Sequence, residues 1–322
     1  MTRLIGDIGG TNTRLALVEE AAQWEHLETY RNEEYDSLES IVAVYLDRQS
    51  AQPNAAALAV AGPVRDDEAV LTNRGWSISA RNLSSRFGFG HCRVVNDFSA
   101  VALGIPALGA DDVASLGGAK ANKGKPIAIL GPGTGLGVGG IVPCRDGSRV
   151  LVTEGGHASL PAVDARSAKI LDRLRTRFGR VSIERAVSGQ GMENIHRALC
   201  EMQGSDSELS DAAQIGEAAM RGDNAPAAEA MDYFFAFLGA AAGDLALTLG
   251  AFGGVYIAGG IVPRYLEAVR ASRFREAFEN KGRMSDYVRE IPVFVILHEE
   301  VELLGLASSL VAREAGRPWP SV

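Results

Sequence analysis

The chain has 322 residues, and its 32 basic and 40 acidic residues give a formal net charge of −8. That length predicts two domains of ordinary size, each with its own core. The acidic balance and the lack of a basic run predict no nucleic acid and no membrane partner. Cys92, Cys144 and Cys200 are scattered without a C-x-x-C pair. This usage indicates reduced thiols without structural zinc and, since no signal-peptide pattern is present, we expect a cytoplasmic protein.

The first predicted elements are two apolar strands joined by a glycine turn near the N-terminus. Asp7 ends the first strand, and Gly9, Gly10, Thr11 and Asn12 form the turn. Positive φ is cheap at the two glycines, and without Cβ atoms their backbone N–H groups can come close to a phosphate. Asp7 is a hard oxygen ligand suited to Mg²⁺ or its water shell. The turn alone is equally compatible with an ordinary hairpin that carries a solvated aspartate.

A second glycine turn follows the apolar run 126–130 and contains Gly133, Thr134 and Gly135. Another apolar run comes next, so the pattern of strand, turn and strand recurs. The recurrence favours polyphosphate binding over a plain hairpin. Residues 135–140 also satisfy the dinucleotide pattern G-x-G-x-x-G, but that pattern must open a helix, and a strand is predicted here.

The remaining pattern alternates strands and helices, which indicates an α/β protein. Apolar spacing predicts helices and buried strands at intervals along both halves of the chain. The expected helices are 37–48, 99–103, 165–178, 182–187, 211–221, 226–249, one from about 263, and 301–313. The expected strands include 55–60, 150–152, 255–257 and 291–297.

Asn96 and Asp97 end a predicted buried strand directly before a helix. A carboxylate at this end of a strand lies where α/β sheets bind ligands, and it can accept a proton from a hydroxyl. We therefore interpret Asp97 as a candidate catalytic base. The alternative is that Asp97 only caps the following helix.

Glu154 and His157 flank a glycine pair that follows another predicted strand. Their donors and acceptors are suited to the vicinal hydroxyls of a sugar. A metal site is the alternative, although no third ligand is close in sequence. Glu184, taken alone, is typical of a solvated helix residue or of an ion pair with Arg185.

Taken together, these motifs resemble the bacterial glucokinase family of the hexokinase and actin-like ATPase fold. Residues 7–17 resemble the family's phosphate hairpin, 130–137 its second phosphate loop, and 257–263 its adenosine-side turn. The chain resembles the branch without a cysteine zinc cluster and without N-terminal DNA-binding helices. Residues 300–305 are more acidic than the family pattern.

The resemblance implies a two-domain α/β actin-like ATPase (ribonuclease H-like) fold with an interdomain cleft that admits Mg-ATP. The small domain would be 1–107 plus 299–322, and the large domain 108–298. The resemblance also implies a homodimer. The implied activity is the ATP-dependent phosphorylation of D-glucose at O6, the first step of glycolysis. A kinase for another hexose, a non-catalytic sugar sensor and an NAD-dependent sugar dehydrogenase remain alternatives.

Residue roles follow from the same resemblance. The catalytic base would be Asp97, and Asp7 would hold Mg²⁺ with ATP, through water. The implied glucose contacts are Asn96, Asp97, Glu154, His157 and Glu184. The implied nucleotide contacts are Asp7, Gly9, Gly10, Thr11, Asn12, Gly133, Thr134, Gly135, Gly259 and Gly260.

Overall fold

A computed structural model describes residues 2–19, 23–71, 74–145, 147–206 and 208–314, with the backbone only of 313 and 314. The strands are β1 (Arg3–Ile8), β2 (Asn12–Val18), β3 (Trp24–Arg31), β4 (Ala55–Val60), β5 (Val64–Arg65), β6 (Glu68–Leu71), β7 (Trp76–Ser79), β8 (His91–Asn96), β9 (Val113–Ser115), β10 (Ile127–Pro132), β11 (Leu136–Cys144), β12 (Gly147–Thr153), β13 (Val255–Ile257) and β14 (Val293–Ile296). The helices are α1 (Leu38–Gln49), α2 (Ala80–Phe87), α3 (Asp97–Gly104), α4 (Ala165–Phe178), α5 (Gly189–Gln203), α6 (Ala212–Arg221), α7 (Ala225–Leu249), α8 (Ile261–Arg264), α9 (Leu266–Ala271), α10 (Phe274–Glu279), α11 (Ser285–Arg289) and α12 (Val301–Glu314).

The chain divides into two compact units. Unit 1 is drawn from Met1–Ala110, Cys144–Leu151 and His298–Val322, and unit 2 from Asp111–Pro143 and Val152–Leu297. The predicted domains differ in assigning 108–110, 144–151 and 298 to the large domain. The domain limits at 107 and 298 stay a prediction where they are meant as boundaries of independently folding domains.

Unit 1 is built on a five-stranded sheet of order β3-β2-β1-β4-β8. The first two strands form the expected antiparallel hairpin, whereas β1, β4 and β8 are parallel. Because side chains alternate along a strand, Leu4 packs on the face shared with helix α1, and Ile5 packs on the face shared with α12. With both faces covered, the carboxyl ends of the parallel strands are where side chains remain available for a ligand.

The contact between α3 and α12 depends on two glycines. A Cβ built on Gly305 would overlap the carbonyl oxygen of Ala100, and one on Gly104 would lie 2.5 Å from that of Val301. The two backbones therefore approach more closely than any larger residue allows. This packing fixes the start of α12 beside the sheet of unit 1.

Unit 2 contains a six-stranded sheet of order β12-β11-β10-β13-β14-β9. The second expected hairpin is present as β10 and β11, which pair antiparallel. Helix α7 lies in the core, with Phe234 and Phe237 wholly buried. By length and composition alone α7 could cross a membrane, but 78% of its most apolar window is buried inside the protein, as in the core helix of a globular domain.

One predicted helix differs from the structure. The expected helix 182–187 is only a 3₁₀ turn, Ile183–Arg185, because the chain returns to extended angles at Ser188, which is the N-cap of α5. The hairpin turn does not use the positive φ that glycine permits, since neither Gly9 nor Gly10 is among the described glycines with positive φ. Gly9 is instead confined by space, because a Cβ there would lie 3.3 Å from the Asn12 carbonyl.

Candidate active site

The hairpin of β1 and β2 places Asp7 directly opposite Arg14. Arg14 Nη2 and Nε donate to Asp7 Oδ2 at 2.8 and 3.2 Å. Burial by itself lowers the pKa of Arg14, but the hydrogen bond and charge of Asp7 raise it above its ordinary value. Since both guanidinium contacts go to one oxygen, Asp7 keeps Oδ1 for a hydrated cation. The residues present therefore fit Mg²⁺.

The hairpin turn is held by Asn32, which sequence reasoning missed. Asn32 is wholly buried, and its Nδ2 donates to the Gly9 carbonyl at 2.9 Å. Its backbone N–H donates to the Thr11 carbonyl, and its Oδ1 accepts from the Thr13 hydroxyl. Thr11 and Asn12 themselves remain exposed. The turn is thus rigid on its inner side and presents donors on its outer side.

The end of β8 separates the roles of Asn96 and Asp97. Asn96 Oδ1 accepts from the N–H groups of Phe98 and Ser99, so Asn96 is the N-cap of α3. The alternative in which Asp97 is the cap is wrong. Asn96 Nδ2 also donates to the Gly62 carbonyl at 3.0 Å and to Asp97 Oδ1 at 2.8 Å. The amide of Asn96 is therefore occupied by the protein and orients Asp97.

Asp97 is largely shielded from solvent. Burial raises the pKa of its carboxyl above the ordinary value, an effect opposed by the Phe98 N–H bond and reinforced by the charge of Asp7. The Phe98 and Asn96 bonds both go to Oδ1, which leaves Oδ2 for a substrate. A carboxylate with a raised pKa and one available oxygen is a competent proton acceptor.

A third carboxylate, Glu302 at the start of α12, belongs to the same electrostatic group. Burial raises its pKa to about 6, and the charges of Asp7 and Asp97 act in the same direction. The acidic segment 300–305 was noticed in the sequence, but its connection to Asp7 depends on the α12 packing. The spacing of these residues in the sequence does not predict that they interact.

In unit 2, the turn between β10 and β11 is tied to Glu184. Glu184 Oε2 accepts from the Leu136 N–H at 2.9 Å, and a Cβ built on Gly135 would lie 2.6 Å from that oxygen. Gly133 is held by backbone bonds to Gly135 and Gly189, and Thr134 is exposed. A side chain at position 135 would therefore displace the Glu184 carboxylate from the Leu136 N–H, a contact that the sequence alone did not reveal.

Three predicted sugar residues of unit 2 come together. His157 Nε2 lies 3.9 Å from Glu154 Oε2, and His157 Nδ1 lies 3.9 Å from Glu184 Oε1. The glycines between Glu154 and His157 let their turn pack on β11, since a Cβ on Gly156 would overlap the Leu136 carbonyl. The side chains of Glu154 and His157 are 81% and 60% exposed, so their polar atoms are accessible to a ligand.

The predicted adenosine-side turn lies at the end of β13. Gly259 has a φ of +80°, and a Cβ there would overlap the carbonyl of Pro132 in the β10–β11 hairpin. Gly260 is the exposed N-cap residue of α8. Here positive φ and close approach both require glycine. The predicted site residues thus form two groups, one within each unit.

Comparison with known proteins identifies the family. A sequence model described as Glucokinase matches residues 4–313. The glucokinase of Psychromonas ingrahamii is 43% identical over 308 residues, covering 95% of this chain and 96% of that protein. The crystal structure of a glucokinase from an Antarctic psychrotroph is 37% identical, with a TM-score of 0.89 over 95% of this chain and 98% of its own.

A more distant structure supports the fold alone. It is a ROK family glucokinase from Streptomyces griseus in complex with glucose and AMPPNP, 20% identical, with a TM-score of 0.59 over 97% of this chain and 100% of its own. The expected α/β actin-like ATPase fold is confirmed. The sequence relatives and the family match agree over nearly the whole described chain, and the chain belongs to the glucokinase family.

Proposed function

We propose that this glucokinase-family protein transfers the γ-phosphoryl group of ATP to O6 of D-glucose, with Asp97 as the base. The family makes it an ATP-dependent hexose kinase that produces glucose 6-phosphate and ADP. The roles of individual residues are the proposal. The observation that carries it is the Asp97 carboxylate, oriented by Asn96 through Oδ1 with Oδ2 left for the sugar hydroxyl.

The proposed reaction begins with the O6 hydroxyl hydrogen-bonded to Asp97 Oδ2. As O6 forms its bond to the γ-phosphorus, the bond from that phosphorus to the bridging oxygen breaks, ADP leaves, and the O6 proton passes to Asp97. A raised pKa makes the carboxylate a stronger base than an exposed aspartate. General-base assistance of this kind contributes about 10²–10⁴-fold to the rate.

Residues of the glycine turns would bind the nucleotide phosphates. The exposed Thr11 and Asn12 carry donors on a turn fixed by Asn32, and Gly133, Thr134 and Gly135 offer backbone N–H groups. Asp7 would hold Mg²⁺, which neutralises charge on the phosphates when it is bound. The glucose and AMPPNP of the Streptomyces griseus structure support both substrates.

The sugar contacts of unit 2 would be Glu154, His157 and Glu184. Two carboxylates accept hydrogen bonds from hydroxyls, and the imidazole between them can donate or accept. Glu184 already accepts from the Leu136 N–H, so a sugar hydroxyl bound to it would also be positioned relative to the β10–β11 turn. This coupling supports a site that selects hydroxyl geometry.

The dehydrogenase alternative lacks support, because residues 136–144 form strand β11 where the dinucleotide pattern needs a helix. The experiment is a panel of hexoses with Mg-ATP, in which ADP release and NAD reduction are followed separately. We expect glucose-dependent ADP release and phosphorus-31 and carbon-13 signals of phosphate on O6. ADP release equal in the absence of sugar, or faster with another hexose, would contradict the substrate assignment.

We also propose that the protein is cytoplasmic and that it is a homodimer, as the family resemblance implies. Sedimentation equilibrium of the purified protein tests the dimer directly. A single species of 34.0 kDa, the mass of one chain, would contradict it.

A further inference from the structure

We propose that unit 2 carries a second anion site, on helix α4, that binds a small organic phosphate. Nothing in the kinase reaction as described uses this helix. In a chain with a net charge of −8, α4 carries five basic residues and one acidic residue. The basic residues Arg166, Lys169 and Arg173 recur at i, i+3 and i+7, which places them on one side of the helix.

A cavity of about 400 Å³ lies against this side. Its lining consists of Arg166, Lys169, Asp172 and Arg173 from α4 and Met202 from α5. The volume is within the roughly 300–1,000 Å³ range of small-molecule sites. The opposite side of α4 is fixed in the core, where Ile170 is wholly buried, so the helix backbone that carries the lining side chains is held in place.

After the ion pairs around the cavity are counted, two positive charges of its lining remain without an ionic partner. Arg166 Nε and Nη2 donate to the two oxygens of Glu229 at 2.8 and 3.2 Å, so these charges cancel while Nη1 stays out of the pair. Asp172 is paired with Arg175 at 2.9 Å. Among the residues that the structure describes, neither Lys169 nor Arg173 makes an ion pair.

The net charge of +2 at the cavity matches the charge of −2 on a phosphate dianion. Arg173 and Arg166 Nη1 supply the planar donors that phosphate oxygens prefer, and Lys169 adds a flexible ammonium group. Met202 contributes an apolar, adaptable surface that inorganic phosphate cannot use but a carbon skeleton can. The geometry points to a phosphate group carried on a small organic body.

The site is tested with the intact enzyme by carbon-13 NMR of its six methionine methyl groups. Met202→Leu identifies the Met202 signal, which is then followed during titration with glucose 6-phosphate, phosphoenolpyruvate or inorganic phosphate. We expect saturable movement of that signal with at least one organic phosphate, at lower concentration than with inorganic phosphate. The affinity should fall as salt rises.

The variant Lys169→Glu/Arg173→Glu should weaken this binding at least ~10-fold, since two attractive charges become repulsive. Lys123→Glu/Arg283→Glu, an equal charge change at two exposed positions of unit 2, is the matched control and should bind as the unaltered enzyme does. Glucose-dependent ADP release by the double variant shows that it is folded.

Any one of three results would overturn the proposal. The first is a Met202 signal that moves with none of the three compounds, and the second is a signal that moves equally in the double variant. The third is that inorganic phosphate binds as tightly as both organic phosphates. Each of these leaves glucose phosphorylation unaffected, so failure of this site is distinguishable from failure of the proposed function.

Discussion

Replacing Glu302 by glutamine should stabilise the protein at neutral pH. Glu302 lies in the first turn of α12. Its pKa is raised from 4.5 to about 6, mainly by burial, with the charges of Asp7 and Asp97 adding to the effect and Arg14 opposing it. The ionised carboxyl is therefore less favourable in the folded protein than in the unfolded chain.

The size of the effect follows from this difference in pKa. A rise from 4.5 to about 6 corresponds to about 2 kcal/mol between the two protonation states. Between these pH values the folded protein binds more protons at this position than the unfolded chain does, so the free energy of unfolding falls as pH rises through the window. Above pH 6 the folded protein bears the full cost of the ionised Glu302 carboxyl, and below pH 4.5 this cost is absent.

Glutamine has a similar shape and cannot ionise. At pH 7.5 we expect the free energy of unfolding of Glu302→Gln to exceed that of the unaltered protein by up to about 2 kcal/mol, and at pH 4.5 the two should agree. Urea denaturation followed by tryptophan fluorescence measures this, since Trp24 and Trp76 lie in unit 1. Glu299→Gln, at an exposed neighbouring position, is the control. A gain that is equal at both pH values, or a loss at pH 7.5, would refute the reasoning.

Three further substitutions test separate parts of the structure. Asp7→Asn should raise the Mg²⁺ concentration needed for turnover and leave glucose affinity without nucleotide unchanged; a change in glucose affinity alone would contradict the metal role. His157→Ala should weaken glucose binding by roughly 1–3 kcal/mol in calorimetry with ATP affinity in sugar-free protein preserved, because hydroxyl partners lose their hydrogen bond; unaltered glucose affinity would remove His157 from the sugar site. Gly305→Ala should reduce the free energy of unfolding by about 1–3 kcal/mol, since the new methyl overlaps the Ala100 carbonyl; a loss no larger than that of Ser308→Ala on the same helix would show that α3 and α12 can separate at little cost.

Elements with strong local signals were predictable from the sequence. Helix α4 begins and ends where predicted, because Asp164 and Ser167 form a capping box and Gly179 follows the last turn. Strand β4 also matches, since its six consecutive apolar residues are of strand length and end just before Gly62 and Pro63. The helix expected at 182–187 is only one 3₁₀ turn, because Ser188 adopts extended angles as the N-cap of α5, a boundary that apolar spacing does not predict.

The candidate site was predictable as a set of residue types and less so as a set of contacts. Asn96 and Asp97 were identified together, but which of them caps α3 depends on the backbone angles at the end of β8. Asn32 went unnoticed because it supports the hairpin turn from 23 positions away. The effect of the Asp97 charge on the pKa of Glu302 depends on how α12 packs against the sheet, and interactions between residues so far apart in sequence require the folded chain.

The central claim, that Asp97 is the base for glucose phosphorylation, is tested most directly by the turnover number of Asp97→Asn with glucose and Mg-ATP. Asparagine keeps the bond to Asn96 possible but cannot take the O6 proton. The account predicts a turnover number lower by about 10²–10⁴-fold, with glucose affinity in calorimetry largely retained. A turnover number close to that of the unaltered enzyme would contradict it.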